Sequence, residues 1–347
     1  MSGKKKVVLE SSVSTQFQTQ DLRDWLTAVE ELGELKHVKG AHWNKELGAI
    51  TEINNRKRGS SLLFDEITDY PSGYRVLTGT TGSPARLAGL LGLSTDLSSS
   101  ALVQSLRGKP PEWENLASEF PPEYVENGPI LENIKSGKDI NLLEFPVPKW
   151  HEKDGGRYIG TGSAVVTKDY DSDWINIGAY RMMVHDERSC ALNMVAGKHG
   201  RQQIERYFKA GEPFPVVASL GHHPLLFLFA GLEIAYGLSE YNYVGAIQGE
   251  PFKVVKGEVT GLPMPAHSEL VLEGWCRPNN KKKEGPLGEF HGYYSGSEKP
   301  APVLEVERIY HRNDPILLGT PPGRPPHDYS YSKAVMRSAL LHEALEK

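Results

Sequence analysis

The run "WINIGAYRMMVH" at residues 174–185 is one of a series of β-rich stretches that decide the fold. The series begins near Tyr158 and has turn residues between its members. Its other members are "GSAVVTKD", "CALNMVA", "PVVASLG", "NYVGAIQG", "FKVVKGEVTG", "ELVLEGWC" and "VLEVERIYH". One helical pattern, "HGRQQIERYFKAG", interrupts it. Many strands with few helices predict a mainly antiparallel sheet or barrel, and not a doubly wound parallel sheet.

The regions on either side of the strand-rich part contain more helical patterns. Before it, residues 22–35 and "NKELGAITEI" have helical patterns, and "SLLFDEI" and "YRVLTG" are strand candidates. "SPARLAGLL" predicts a helix with Ser83 as its N-cap and Pro84 in its first position. After it, "YSKAVMRSALLHEALEK" is strongly helical up to Lys347 without a capping residue, so we expect a long linker helix. The sequence therefore predicts an α+β fold with parts at 1–140, 141–318 and 319–347.

Composition excludes several classes of function. The formal net charge of the 347 residues is -5, which argues against nucleic acid as the main partner. Cys190 and Cys276 are the only cysteines, so neither a disulfide framework nor a thiolate metal site is expected, and a cytoplasmic location fits. The longest apolar run, "PLLFLFAGL", is too short to span a bilayer and is interpreted as a buried strand or core segment. No membrane partner is expected.

The segment "EGPLGEFHGY" at residues 284–293, which we call the acid loop, places Glu284 and Glu289 five residues apart. Pro286 removes a backbone donor and the glycines permit unusual dihedral angles, so the segment is predicted to be a shaped loop. A solvated turn after the basic run 281–283 is the alternative. The loop sequence alone leaves both open.

Three polar residues from distant stretches form a second candidate constellation. Taken singly, Asn176 is an ordinary strand amide, His199 a surface histidine before a helix, and Glu240 a capping or exposed acid before a strand. Taken together, their amide, imidazole and carboxylate groups suit octahedral Mn²⁺ or Mg²⁺ and not structural zinc. Their spacing leaves open whether they meet.

Five ordered motifs carry a resemblance to a known family. They are "HEKDGGRYIGTG", "WINIGAYR", "SEYNYVGAIQGEP", "PAHSELVLEG" and "EGPLGEFHGYY", which lie between about Pro146 and Tyr331. The chain resembles the UbiD family of decarboxylases, which use prenylated FMN. The resemblance implies a split β-barrel that binds the flavin. It also implies a reversible, non-oxidative decarboxylation of an aromatic, heteroaromatic or α,β-unsaturated carboxylic acid.

The resemblance also implies ligands for the cofactor and its cations. Mn²⁺ (or Mg²⁺) would be held against the cofactor phosphate by Asn176, His199 and Glu240. A nearby K⁺ would use backbone carbonyls around Trp174, Ala230 and Leu232, with the Glu240 carboxylate. The implied cofactor-binding residues are Asn176, Gly178, Ala179, Tyr180, Arg181, Lys198, His199, Ala230, Gly231, Leu232 and Glu240. For Lys198, contact with the phosphate and exposure to water both remain open.

The implied catalytic residues are Arg181, Glu284 and Glu289. Glu289 would be the proton donor, and Glu284 with Arg181 its positioning partner. A flavin prenyltransferase would supply the cofactor, and a small carboxylic acid would be the substrate.

The chain departs from the family pattern in two places. The family's C-terminal oligomerisation domain is expected to be missing after Lys347, and a homo-oligomer is expected where that domain is present. Residues 230–233 read "AGLE" where some relatives show "SSMP". Two other functions are weighed beside the decarboxylase: a non-catalytic cofactor-binding fragment or subunit that needs a partner domain, and a flavin reductase on a similar split barrel.

Overall fold

The computed structural model describes residues 17, 19–294 and 296–346, and only the backbone of residues 343 and 346. Its α-helices are α1 (Leu22–Glu31), α2 (Glu46–Arg56), α3 (Pro84–Leu90), α4 (Ser99–Ser105), α5 (Lys109–Leu116), α6 (His199–Ala210), α7 (Pro224–Ala230), α8 (Glu240–Gln248) and α9 (Asp328–Glu346). Short 3₁₀ turns lie at Ala117–Glu119, Pro129–Leu131, Gly137–Asp139 and Leu142–Glu144.

The strands fall into three sheets. They are β1 (Leu35–Lys39), β2 (Ser61–Asp65), β3 (Arg75–Thr78), β4 (Glu123–Tyr124), β5 (Asn133–Ser136), β6 (Arg157–Gly160), β7 (Ala164–Lys168), β8 (Ile175–Gly178), β9 (Arg181–Asp186), β10 (Ser189–Asn193), β11 (Phe214–Ser219), β12 (Lys253–Lys256), β13 (Pro263–Pro265), β14 (Leu270–Glu284), β15 (Lys299–His311) and β16 (Ile316–Leu318).

A nine-stranded antiparallel sheet forms the centre of the molecule and curls into a half-barrel. Its strand order is β6-β9-β10-β15-β14-β11-β7-β8, with β5 pairing with β15. Alternate residues enter two different cores: Val165 and Val216 lie in one, and Val166 and Val217 in the other. Because side chains of a strand alternate between faces, both faces of this sheet are covered. The predicted antiparallel, barrel-like sheet is confirmed.

The N-terminal helices and a small mixed sheet pack beside the half-barrel. The order of the small sheet is β1-β2-β3-β16, so a strand from beyond the half-barrel pairs in parallel with β3. Buried Glu269, next to the start of β14, binds both Nε and Nη2 of Arg23 on α1 at 2.8 Å. Ser83 caps α3 by accepting a hydrogen bond from the backbone N–H of Arg86, as predicted. The boundaries at 140 and 318 stay predictions.

Two predicted strands are helices in the structure. "PLLFLFAGL" contains α7, whose seven residues are all buried, and "NYVGAIQG" lies mainly in α8. The buried-strand interpretation of the first and the strand after Glu240 are therefore wrong, although the core position of α7 is confirmed. A continuous apolar run suits a buried strand and a buried helix equally, so its pattern does not decide. The residues at the ends of these segments are those typical of helices: Pro224 starts α7, and Gly249 follows α8 with a φ of 76°.

The predicted linker helix is present as α9, and its outer face carries the exposed side chains of Leu340, Leu341 and Leu345. Within the described part of the chain, none of the helices combines the length and the apolar character needed to cross a membrane.

Candidate functional site

A cavity of about 460 Å³ opens between the half-barrel, the start of α6, the end of α7, the acid loop and the start of α9. All of the residues implied as cofactor-binding line it: Asn176, Gly178, Ala179, Tyr180, Arg181, Lys198, His199, Ala230, Gly231, Leu232 and Glu240. Glu289 lines it too, whereas Trp174 and Glu284 lie behind its wall. The fold therefore brings four distant stretches of sequence to one concave surface.

A chain of hydrogen bonds connects the three candidate metal ligands. Glu240, the first residue of α8, accepts a hydrogen bond from the backbone N–H of Ile177 at 2.6 Å, next to Asn176. The hydroxyl of Tyr180 accepts from the Asn176 amide at 3.4 Å and from the backbone N–H of Gly200 at 2.9 Å. Gly200 follows His199 at the start of α6. The network thus includes the amide of Asn176 and the carboxylate of Glu240, and it reaches His199 through the backbone of its neighbour Gly200.

The chemistry of these groups fits a bound divalent cation. The Asn176 amide nitrogen also donates to Thr167 Oγ1 at 3.0 Å, which leaves the amide oxygen as the ligand atom. Burial raises the pKa of Glu240 to about 8, so its charged form needs a cation. Burial, with the charge of Lys198, lowers the pKa of His199 and keeps the imidazole in its neutral, ligating form.

The candidate metal site includes the amide of Asn176 besides His199 and Glu240. Within the described residues, no three His, Cys, Asp or Glu side chains cluster in a metal-binding arrangement. A metal held by His199 and Glu240 therefore has no third side-chain ligand of these four types among those residues, and Asn176 is the remaining candidate on the cavity wall. The identity of the metal stays a prediction.

Trp174 packs behind the candidate ligands. Its ring lies 5.1 Å from that of His199 and 4.4 Å from that of Tyr236, between centroids. Its backbone carbonyl accepts from the Asp169 N–H at 2.9 Å, and that of Ala230 from Ala179 at 2.9 Å. A carbonyl has two lone pairs, so each oxygen keeps one for a cation. The potassium site stays a prediction.

The acid loop connects β14 to β15 and holds its two carboxylates in different environments. Glu284 is 2% exposed and binds Arg181 through two parallel hydrogen bonds, to Nε at 2.8 Å and to Nη2 at 3.0 Å. Glu289 Oε1 lies 3.8 Å from Arg181 Nη1, and about a third of its side chain is exposed. A solvated turn does not account for the burial of Glu284. The guanidinium thus lies between a buried carboxylate and one that faces the cavity.

Two contacts from residues 154–158 hold the acid loop and a third holds Tyr294, the residue that follows it; none was predicted. The Tyr158 hydroxyl donates to Glu284 Oε1 at 3.1 Å, and the Gly155 N–H donates to the Pro286 carbonyl at 2.8 Å. The Tyr294 hydroxyl donates to Asp154 at 2.8 Å. Burial and the charge of Glu284 raise the pKa of Tyr158, so its hydroxyl remains a donor. These residues belong to "HEKDGGRY", which carried the family resemblance but had no assigned role.

His327 and Tyr329, beside the start of α9, also line the cavity and were not predicted. His327 Nε2 bonds the Phe290 carbonyl at 3.0 Å, so it connects the acid loop to α9. Burial opposes its protonation, but Asp328 and that carbonyl outweigh burial and raise the pKa of His327. The Tyr329 hydroxyl donates to the Gly231 carbonyl at 3.2 Å. The only sequence signal for these residues is their place after a proline-rich loop.

Two family models match the chain. Residues 26–106 match the 3-octaprenyl-4-hydroxybenzoate carboxy-lyase N-terminal domain, and residues 123–325 match the Rift-related domain of the same carboxy-lyase. The second match covers more than half of the chain.

Similar proteins are longer than this chain. It is 34% identical to a pyrrole-2-carboxylic acid decarboxylase of Pseudomonas aeruginosa, with 92% of this chain and 65% of that protein covered. It is also 34% identical to a phenolic acid decarboxylase of Sedimentibacter hydroxybenzoicus, with 94% and 69% covered. The chain thus spans about two thirds of the length of these curated relatives.

Solved structures have the same fold. The vanillic acid decarboxylase of Sedimentibacter hydroxybenzoicus in its closed form superposes with a TM-score of 0.82 at 32% identity, over 90% of this chain and 66% of that one. An evolved dimeric UbiD-class enzyme from Pelotomaculum thermopropionicum, in complex with prFMN, superposes with a TM-score of 0.82 at 26% identity, over 94% and 73%. From the matched domains and these relatives, the chain belongs to the UbiD family.

Proposed function

We propose that this chain provides the flavin-binding and catalytic part of a prenylated-FMN-dependent carboxy-lyase. Its substrate is an aromatic, heteroaromatic or α,β-unsaturated carboxylic acid, and the reaction is non-oxidative and reversible. The cofactor is held with Mn²⁺ or Mg²⁺ and K⁺. A flavin prenyltransferase supplies it, and the setting is the cytoplasm.

The observation that carries the proposal is the placement of Arg181. Its guanidinium is fixed by the buried Glu284 and lies beside Glu289 on the wall of the cavity that Asn176, His199 and Glu240 also line. An arginine with a fixed orientation is a good partner for a substrate carboxylate. A carboxyl group beside it can deliver a proton to the carbon that loses CO₂.

Each group at the site has its own role in the proposed reaction. The bound prenylated flavin supplies an electron sink for the electron pair that stays on carbon when the bond to CO₂ breaks. Arg181 orients the substrate carboxylate before this step. Glu289 then gives its proton to that carbon, and a proton from solvent restores the Glu289 carboxylic acid. Glu284 and Tyr158 keep the guanidinium in place throughout.

The relatives support the reaction class. They are named for the decarboxylation of pyrrole-2-carboxylic, phenolic and vanillic acids, and a structural neighbour is bound to prFMN. All of these acids carry the carboxylate on an unsaturated or aromatic carbon, which defines the substrate class that we propose.

The test is CO₂ release from the chain after co-expression with a flavin prenyltransferase. We expect turnover of at least one acid from a panel of pyrrole-2-carboxylate, hydroxybenzoates and vanillate. Glu289→Gln removes the proton donor and keeps the shape, so product formation should fall by at least about a hundredfold, the usual contribution of general acid catalysis. Flavin content should not change.

Glu298→Gln is the matched control, because Glu298 lies in the same hairpin and pairs with Lys283 away from the cavity. It should keep wild-type turnover. Turnover by Glu289→Gln at the wild-type rate would refute the assignment of the proton donor.

The length of the relatives favours one alternative, that the chain binds the cofactor and needs a further domain for turnover. Cofactor binding without CO₂ release, with turnover restored by an added C-terminal part of a relative, would identify it. A flavin reductase would instead consume NAD(P)H without any carboxylic acid. The decarboxylase should not consume it.

A further inference from the structure

A group of charged side chains at the rim of the cavity has no role in the proposed mechanism. We call it the rim cluster: Lys198, Glu233, Lys333 and Arg337. Lys198 Nζ lies 3.2 Å from Glu233 Oε1, Arg337 Nη2 lies 3.0 and 3.1 Å from the two Glu233 oxygens, and Lys333 Nζ lies 3.9 Å from Oε1. Three cations from two helices therefore converge on one carboxylate.

The cluster has more positive than negative charge. Glu233 can neutralise only one of its three cations, so the group carries a surplus of positive charge beside the cavity. Lys198 and Glu233 line the cavity itself, next to His199. The other lining carboxylates are Glu240, which is buried among the candidate metal ligands, and Glu289, which lies beside Arg181. An anion that enters here meets cations that lack full compensation.

Lys333 is the most buried of the three cations. Its side chain is only 19% exposed, and its ammonium group lies 4.6 Å above the ring of Tyr329, another residue of the cavity wall. Arg337 follows it by four residues on α9, so the two cations lie on the same side of that helix. A lysine that packs on an aromatic ring is held in place more firmly than a solvated one.

The start of α6 strengthens the positive potential at the same rim. Lys198 is the N-cap of this twelve-residue helix, and its own side chain makes no capping hydrogen bond; the Tyr180 hydroxyl binds the Gly200 N–H. The dipole at the beginning of a helix favours negative charge nearby. The positive potential at the rim thus has three sources: Lys198, the start of α6 and the two cations of α9.

We propose that Lys198, Lys333 and Arg337 form an anchoring site for the phosphate group of the bound flavin, and that Glu233 is the resident counter-ion with which the phosphate competes. This inference rests on the proposed function, because it takes the cavity to be the flavin site. The flavin phosphate carries about two negative charges, and its burial beside the Glu240 carboxylate is favoured by every cation placed nearby. Because Lys333 and Arg337 belong to α9, the cofactor and this helix contact each other through their charges.

The test compares FMN with riboflavin, which is the same flavin without the phosphate. Each is titrated into the chain in the presence of EDTA, so that a bound metal does not mask the protein cations, and binding is followed by flavin fluorescence. The wild type should bind FMN more tightly than riboflavin. Glu233→Gln should tighten FMN binding about two- to fivefold, and Lys333→Met and Arg337→Met should each weaken it by about the same factor, as for partly exposed charges.

The controls make the same changes in charge away from the rim. Glu205→Gln on α6 frees Arg201, and Lys209→Met changes the last turn of that helix. Neither should alter the ratio of FMN to riboflavin affinity by more than its experimental error. Circular dichroism of each variant checks that the fold is retained.

The outcomes separate the two proposals. Two results would overturn the phosphate-binding role of the rim cluster and leave the proposed function standing. One is an FMN affinity that is the same in Glu233→Gln and Glu205→Gln. The other is a change in riboflavin affinity as large as the change in FMN affinity. Failure of the wild type to bind either flavin, both in EDTA and in a second titration with Mn²⁺ and K⁺, would overturn the proposed function and this inference with it.

Discussion

Glu240 is a nearly fully buried carboxylate that has no ion-pair partner within the described residues. Its hydrogen bond from the Ile177 N–H stabilises the charged form, but burial outweighs it and raises the pKa of Glu240 to about 8. A group in this state is costly to ionise and gains much from a bound cation. The structure therefore predicts that metal binding and folding stability depend on pH together.

The sign of that dependence follows from the two protonation states. In the metal-free protein the folded state keeps the Glu240 proton up to about pH 8, whereas the unfolded chain loses it near pH 4.5. Stability from this group is complete below pH 4.5 and falls as the pH rises towards 8, by about 1 kcal/mol per pH unit. Glu240→Gln removes this slope.

Urea unfolding of the wild type and Glu240→Gln at pH 6, 7 and 8 in EDTA measures the effect. The difference between the two proteins isolates Glu240, because they share all other titrating groups. Replacing EDTA with Mn²⁺ at pH 8 should stabilise the wild type and not the variant. Parallel pH profiles with no response to Mn²⁺ would show that Glu240 is neither ionised late nor a metal ligand.

A functional residue could be predicted from the sequence where its own type or a nearby motif marks it, and not where its role depends on a partner far along the chain. Asn176, His199 and Glu240 were found by side-chain type and family resemblance, and the fold places them on one cavity wall. Tyr158 was not found, because its partner Glu284 lies 126 residues further along the chain. The same holds for Glu233, whose charge partners lie on α6 and α9 and were not signalled by its own neighbours in sequence.

Among the elements, the acid loop depends most on contacts from another stretch of chain. The backbone at Gly155 packs directly on the backbone at Gly285, and a Cβ atom at residue 155 would lie 2.0 Å from the Gly285 carbonyl oxygen. Only glycine permits this approach, which also allows the Gly155 N–H to bond the Pro286 carbonyl. This contact lies between Glu284 and Glu289 in the sequence, so it supports the segment that carries both acids.

Gly155→Ala should force the two segments apart. Because the clash involves backbone atoms on both sides, we expect a loss of about 1–3 kcal/mol in the free energy of unfolding and a large loss of CO₂ release. Gly323→Ala is the control, since a Cβ atom there meets nothing within 4 Å. Urea unfolding and turnover are measured for both. Wild-type stability and turnover in Gly155→Ala would show that the acid loop does not need this support.

The sequence predicted the elements wherever a pattern or an end signal was distinctive. The helices near the N-terminus and the strands of the half-barrel were recognised by spacing and by caps such as Ser83. The sequences of α7 and α8 predict strands instead of helices, because every residue of α7, and most of α8, is buried. A helix that is buried on all sides has no polar face, so its sequence lacks the 3.6-residue pattern that distinguishes a helix from a strand.

At the scale of the whole molecule, the chain that follows the half-barrel contributes both to the N-terminal sheet and to the cavity wall. Strand β16 joins the N-terminal sheet, and α9 then begins beside the acid loop with His327 and Tyr329 on the cavity wall. The antiparallel half-barrel could be predicted from composition and pattern. The return of the chain to β3 could not, because three residues carry too little pattern to specify a partner strand.

The proposed function requires that one cavity hold a flavin and a divalent metal between Asn176, His199, Glu240 and the acid loop. The most direct test is a crystal structure of the chain with FMN and MnCl₂, with anomalous data to locate manganese. We expect one manganese peak within bonding distance of those three side chains and the FMN phosphate, with the flavin ring near Arg181 and Glu289. Manganese held by other residues, or FMN bound outside this cavity, would contradict it.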